Sequence, residues 1–382
     1  MIRTIGILGG GQLGRMLTLE AKRMGYRVVT LEPSTDSPAG QIADEQIVAA
    51  YDDLRFIGEL GARSDVVTYE FENIPLGSVQ ALENDRRLVR PSSAVLRVTQ
   101  ERLLEKQFVR DCGVATADFA PVSSLEELDA AIAQIGLPAV IKTTMGGYDG
   151  KGQWLVRDRD AALAALAEAR GKALIYEAFV PFDKELSIIC ARNARGEIVT
   201  FPVAENQHDR GVLATTIVPA RIADDVARRV RESAETIARA LDIVGAFAIE
   251  YFLAGDRLLV NEIAPRVHNT GHYSLEATTI SQYEAHVRAI CDLPLVPPRM
   301  LAAAIVMVNI LGTGEGDDLD GTADLLRDPD VALHIYGKAH AAVRRKMGHF
   351  TVLGATPDEA LSKAERGRAL LRWIDNRAMS SR

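Results

Sequence analysis

The chain has 382 residues, 47% apolar and 25% charged, a balance that excludes the disordered and fibrous classes and implies two or three packed units. Its net charge of −8 repels polyanions, which argues against a nucleic-acid partner and makes any phosphate site a local feature. The apolar start is short and broken by glycines, and Cys112, Cys190 and Cys291 lie far apart without C-x-x-C spacing, so we expect a cytoplasmic protein with no membrane partner, disulfide framework or thiolate metal site.

Residues 2–8 read as a strand, Leu13, Met16, Leu17, Ala21 and Met24 repeat at helical spacing, and "YRVVTLEP" resumes strand character. With the strand at 65–71, these elements predict an open parallel α/β sheet continuing to about residue 90. The turn between the first strand and helix carries Gly9, Gly11 and Gly14 in G-x-G-x-x-G spacing, and Glu32 follows where an acid would meet a ribose. Alone, that pattern fits a dinucleotide, any phosphate or carboxylate at a helix N-terminus, or simple close packing.

Pro91-Ser92-Ser93 punctuates the chain, and 93–113 reads as one helix capped by Ser92 or Ser93 and stopped by Gly113. We place domains at 1–92, 93–298 (lobes of about 93–172 and 173–298) and 299–382. From 137 the pattern becomes α+β, with short strands around an alanine-rich helix near 158–170. A helix at 224–241 leads into a hairpin turning at 254–256. Beyond the proline-rich 292–299, strands near 302–310, 332–336 and 349–353 precede an amphipathic helix near 357–375.

Four groups of residues carry chemistry. In "VIKTTMGGYDGKGQWLV", Lys142 ends a strand, and Gly146, Gly147, Gly150 and Gly152 make a loop whose amides can close over a polyphosphate; a mobile surface hairpin is the bland alternative. Glu177 and Glu185 flank an apolar segment suited to a purine, as acceptors for its amino group and for ribose hydroxyls. A near-symmetric turn would put Glu250 opposite about 260 and Glu262 opposite about 248, making the two carboxylates diagonal neighbours on one face and a site for a hard cation. The next loop brings Arg266, His268 and Asn269, and a guanidinium there suits a small oxyanion.

Taken together, "IKTTMGGYDGKGQ", "ELS", the Glu250/Glu262 hairpin and "NEIAPRVHNTGH" resemble the ATP-grasp carboxylate–amine ligases. "GILGGGQLGRML", "ENQHDRGVL", "SQYEAHVRAICDLPL" and "KMGHF" narrow the resemblance to the branch that N-carboxylates 5-aminoimidazole ribonucleotide in purine biosynthesis. The resemblance implies an ATP-grasp fold with a Rossmann-like pre-ATP-grasp domain and a small C-terminal domain, paired as a homodimer. It implies ATP held by Arg102, Lys142, Gly146, Gly147, Tyr148, Asp149, Gly150, Lys151, Gly152, Glu177, Val180, Glu185, His208, Asn261 and Glu262, with magnesium or manganese on Glu250 and Glu262. The first glycine turn would face the ribonucleotide through Gly11, Gln12 and Leu13, with Glu72 and Tyr148 as further contacts and Lys338, Arg345 and Lys346 as the basic seat for its phosphate. Arg266, His268 and Asn269 would hold bicarbonate and the carboxyphosphate made from it. The rival readings are another ATP-grasp ligase for a related nucleotide amine, a dinucleotide-dependent oxidoreductase and a non-catalytic ATP sensor.

Overall fold

A computed structural model describes residues 2–147 and 152–375 of the chain. The first unit is the expected parallel sheet, in spatial order Glu45–Ile47, Arg27–Leu31, Thr4–Leu8, Val66–Tyr69. Its first helix, Gln12–Arg23, buries Leu13, Met16, Leu17 and Ala21 as one stripe. That stripe joins Ile5 and Ile7 to Ile189, Ala246, Ala248 and Tyr283, so the first unit is cemented onto the large central sheet.

Residues 93–113 differ from expectation. There are two helices, Ser93–Gln100 and Arg102–Asp111, broken at an extended Glu101 (φ −113°, ψ 109°). Ser92 caps the first, while the Glu101 carboxylate accepts the backbone N–H groups of Leu103 and Leu104 and caps the second. A side chain able to serve as an N-cap thus interrupts a run whose apolar spacing alone reads as continuous. The break sets Arg102 at the start of a new helix, with its N–H on the Thr144 carbonyl at 2.9 Å.

The glycine-loop region builds a four-stranded antiparallel sheet in the order Phe119–Val122, Leu174–Ala178, Ala139–Thr143, Gln153–Val156. Among the described residues the larger sheet has nine strands; with Ile198–Thr200 paired off the path onto Lys184–Arg192, it runs from the hairpin Arg257–Ala264/Gly245–Ala254 through Lys184–Arg192, Ala204–Asp209 and Val212–Val218. It then continues into Ala304–Leu311, Lys346–Gly354 and Val331–Ile335, so the C-terminal segment extends the central sheet. The last helix stops at Leu370, short of the expected 375, because Arg372–Ile374 pairs with Asp318–Asp320 and Trp373 Nε1 donates to the Leu311 carbonyl at 2.7 Å. Among the described residues no helix is long and apolar enough to cross a membrane.

The hairpin's register also differs from expectation. Its turn has two residues, Gly255 (φ +60°) and Asp256, so Ala254 pairs with Arg257 and Tyr251 with Val260. Continued unchanged, that register would put Glu250 and Glu262 on opposite faces. A bulge at Asn261 intervenes, and Glu250 pairs directly with Glu262. The carboxylates share a face as expected, but as direct partners, and by way of an extra residue the sequence pattern does not announce.

Candidate active site

A cavity of about 1200 Å³ lies between the two sheets and the first unit. Ordinary ligand clefts span roughly 300–1000 Å³, so there is room for a nucleotide and a second substrate together. Gln12, Leu13, Glu72, Arg102, Lys142, Gly146, Gly147, Gly152, Glu177, Val180, Glu185, His208, Glu250, Asn261, Glu262, Arg266, His268, Asn269 and Lys346 all line it. Tyr148, Asp149, Gly150 and Lys151 lie outside the described residues. Gly11, Lys338 and Arg345 are not on the lining.

At one end, Lys142 Nζ donates to Glu177 Oε2 at 2.8 Å, and Lys106 Nζ stands 3.8 Å from Glu177 Oε1. Burial would raise the Glu177 carboxyl, but the two ammonium groups outweigh it and hold it at about 2. Glu177 is therefore a buried anion between two lysines as well as an acceptor at the cavity wall. Phe182 stacks on Phe252, with ring centres 4.6 Å apart and 6° between planes, making a flat apolar wall. Glu185 Oε2 lies 2.5 Å from His208 Nδ1; burial alone would lower His208, and that bond raises it instead.

At the centre, Glu250, Glu262 and His268 each present a donor atom within 4.8 Å of the others. Burial first, and then Glu262 opposite, push the Glu250 carboxyl up to about 8. Burial, then Arg266 and Lys346, push His268 well below the usual imidazole range, so it stands neutral. Arg102 reaches Glu262 at 3.5 Å and the Gly147 carbonyl at 3.3 Å, tying the hairpin to the glycine loop. Two facing carboxylates are oxygen donors that suit a hard divalent ion such as magnesium or manganese, with the imidazole beside them.

At the far end, the Arg266 Nε donates to Glu72 Oε2, its NH1 donates to the Val267 carbonyl at 3.1 Å, and burial opposed by Glu72 leaves the guanidinium firmly charged. Glu72, expected as a substrate contact, is thus bound to Arg266. Both amide atoms of Asn269 are buried without a partner, as is Asn261 Oδ1. Buried polar groups left unpaired are costly, and both residues line the cavity. Gln282, fully buried and not singled out from the sequence, grips His268 by both backbone groups, accepting from its N–H at 2.9 Å and donating to its carbonyl at 2.7 Å.

The first glycine turn corrects one expectation. The N–H groups of Gly11 and Gly14 are taken by the buried carboxylate of Glu70, and the Gly10 N–H donates to Glu32 Oε2 at 2.9 Å, with Tyr51 on the same oxygen. A Cβ at Gly9 (φ +112°) would meet Glu70 Cγ at 2.3 Å, so the glycines seat an internal anion. The helix N-terminus is satisfied by the protein itself, so the Gly11 amide is not open to a ligand and Glu32 is not free for a dinucleotide ribose. Gln12 and Leu13 still reach the cavity.

Of the basic residues near the C-terminus, Lys346 reaches the cavity. Lys338 Nζ donates to the Lys346 carbonyl at 2.7 Å and lies 5.7 Å from the Tyr336 ring centre, and Arg345 is exposed, donating to the His340 carbonyl at 2.9 Å. Glu105 and Lys106 also went unnoticed in the sequence; charged residues in an amphipathic helix read as its solvent face, yet they are 2% and 1% exposed.

Comparisons with known proteins place the fold in a known family. Residues 2–100 match the ribonucleotide synthetase preATP-grasp domain, 107–283 the ATP-grasp domain and 305–363 the phosphoribosylaminoimidazole carboxylase C-terminal domain. The N5-carboxyaminoimidazole ribonucleotide synthase of Brucella melitensis is 44% identical over 351 residues, 91% of this chain and 95% of that protein. A crystal structure of an N5-carboxyaminoimidazole ribonucleotide synthetase in its ADP complex superposes with a TM-score of 0.89 at 44% identity, covering 96% of each chain. The N5-carboxyaminoimidazole synthase of Aspergillus clavatus, in complex with ADP and 5-aminoimidazole ribonucleotide, gives 0.89 at 29% identity, covering 96% of this chain and 98% of that one.

Proposed function

The chain belongs to the N5-carboxyaminoimidazole ribonucleotide synthase family of ATP-grasp ligases, and from that premise we propose how its own residues divide the work. It is an ADP-forming ligase of purine biosynthesis that carboxylates 5-aminoimidazole ribonucleotide at the expense of ATP. Bicarbonate accepts the γ-phosphoryl group to give carboxyphosphate, and the substrate's amine captures its carboxyl or the carbon dioxide it releases. Such chemistry needs positioning and charge neutralisation more than a protein nucleophile.

Lys142, Arg102 and the glycine loop take the phosphates, Val180 and the Phe252 wall take the base, and Glu185 and His208 take the ribose. Glu250 and Glu262 would hold magnesium or manganese, with Asn261 beside them; when bound, the ion would supply positive charge to offset that of the phosphates. Arg266, already charged and oriented by Glu72, receives bicarbonate, and neutral His268 and the unpaired Asn269 amide complete that subsite. The ribonucleotide enters past Gln12 and Leu13, with Lys346 on the cavity wall and Lys338, held on the Lys346 carbonyl, joining Arg345 as the cationic seat for its phosphate. The residues divide as 1–92 for the ribonucleotide, 93–298 for ATP and 299–382 for the ribonucleotide's phosphate, in a cytoplasmic homodimer.

The observation that supports this reading is that one cavity is lined together by Lys142 on Glu177, by a facing pair of carboxylates, and by Arg266 and Asn269. The test is ADP release with ATP, magnesium and bicarbonate, with and without 5-aminoimidazole ribonucleotide. Release that needs bicarbonate and rises with the ribonucleotide supports it; ATP binding without turnover would contradict it.

A further inference from the structure

The Asn261 bulge raises a question of stability. Along an edge strand, the backbone groups of alternate residues point off the sheet. Here Val260 and Ile263, an odd number of residues apart, both do so, which is the change of parity a bulge imposes. The Val260 N–H donates to the Ala115 carbonyl at 2.9 Å, and its carbonyl accepts from Thr116 Oγ1 at 2.9 Å and Lys106 Nζ at 3.3 Å. On the far side of the bulge, the Ile263 N–H donates to Glu105 Oε1 at 2.6 Å. Two adjacent side chains of the helix Arg102–Asp111 therefore hold the backbone on either side of Asn261 and Glu262. Lys106 also stands 3.8 Å from Glu177, whose other oxygen holds Lys142.

Neither residue needs to touch a ligand for this to matter. Both are almost wholly buried, where an ionisable side chain is retained only if it is well hydrogen-bonded or paired. We infer that Glu105 and Lys106 are positioning residues: Glu105 fixes the bulge that aims Glu262 and Asn261 into the cavity, and Lys106 fixes both that bulge and, through Glu177, the phosphate-facing Lys142. The inference rests on the assignment of Lys142 to the phosphates and Glu262 to the metal given under the proposed function. It makes the helix a ruler between the lysine end of the cavity and the carboxylate pair, spanning the two sheets.

The test is calorimetric titration of ADP into the full chain, with and without magnesium, for Lys106→Met, Glu105→Ala and Glu105→Gln, alongside Lys142→Ala and Glu262→Ala. Lys106→Met is expected to weaken ADP about tenfold with or without magnesium, as loss of a charge-assisted contact implies. Glu105→Ala is expected to remove the part of the affinity that magnesium adds, and Glu105→Gln, which keeps an acceptor for the Ile263 N–H, to restore it. Should Lys106→Met fail to fold, Lys106→Gln, which keeps a donor for Val260 but no charge for Glu177, carries the same expectation. If the Glu105 and Lys106 variants all bind ADP within about twofold of the parent in both conditions, while Lys142→Ala and Glu262→Ala weaken it, the positioning role is overturned and the site assignment survives. If Lys142→Ala and Glu262→Ala also leave binding unchanged, the site assignment falls and the positioning role falls with it.

Discussion

Glu250 and Glu262 pair directly across their hairpin because Asn261 is an extra residue in the second strand. If Asn261 were paired and not bulged, the register of the two-residue turn would set Glu262 opposite Ile249, on the other face. Deleting Asn261 removes the extra residue and leaves Glu262 directly after Val260, where the unbroken register still pairs it with Glu250. We therefore expect the deletion to melt cooperatively and to keep magnesium-dependent ADP release, whereas Glu262→Ala loses that release. A folded deletion without magnesium-dependent release, or an active Glu262→Ala, would contradict the role of the facing pair.

Arg266 and Lys338 should fail in different ways. Arg266→Ala removes the charged guanidinium from the cavity wall and strands Glu72, so kcat should fall by about 10² or more. Lys338→Ala should instead raise KM for the ribonucleotide about tenfold with less effect on kcat. Steady-state kinetics on both variants check the split, and the reverse pattern would exchange the two roles.

Glu177 carries a pH signature. Its folded value of about 2 lies below the ordinary carboxylate range, so its contribution is present above about pH 4.3 and is lost as pH falls toward 2. Burial pushes the Lys106 ammonium down by more than Glu177 raises it, so the lysine gives back part of that gain. We expect Glu177→Gln to cost about 1–3 kcal/mol at pH 7 and less at pH 3, read as the difference in melting temperature from the parent. An equal cost at both values would show that the charge is not what matters.

Glu70 fills the helix N-terminus that a pyrophosphate would need. The chain should therefore show no binding of NAD or NADP in a thermal-shift assay, and Glu70→Ala should destabilise it by about 1–3 kcal/mol through its orphaned amides. A stabilising shift with either dinucleotide would contradict the internal-anion account.

The sequence showed strands, helices and glycine loops well wherever the signal was local. The stripe of the helix Asp224–Leu241 and the parallel character of the first sheet followed from periodicity. What it concealed depended on partners far along the chain. Glu105 and Lys106 meet Ile263 and Val260 more than 150 residues away, and only those meetings show that they are buried. The carboxylate face was legible from Ala246, Ala248 and Glu250, whereas the register was not, since neither the turn length nor the bulge has a residue that compels it. Glu101 had the chemistry of a helix cap, and its position inside an unbroken apolar repeat hid it. The glycine turn was the reverse case: the motif was plain, and its occupant, Glu70, was invisible until the sheet brought it close.

The most direct test of the central claim is a crystal structure of the chain with ADP and manganese, using the anomalous signal to locate the ion. We expect one peak between Glu250 and Glu262, about 2.0–2.3 Å from an oxygen of each, with the nucleotide's phosphates reaching toward Lys142. A peak elsewhere, or a Glu262 side chain turned to the other face of the hairpin, would contradict it.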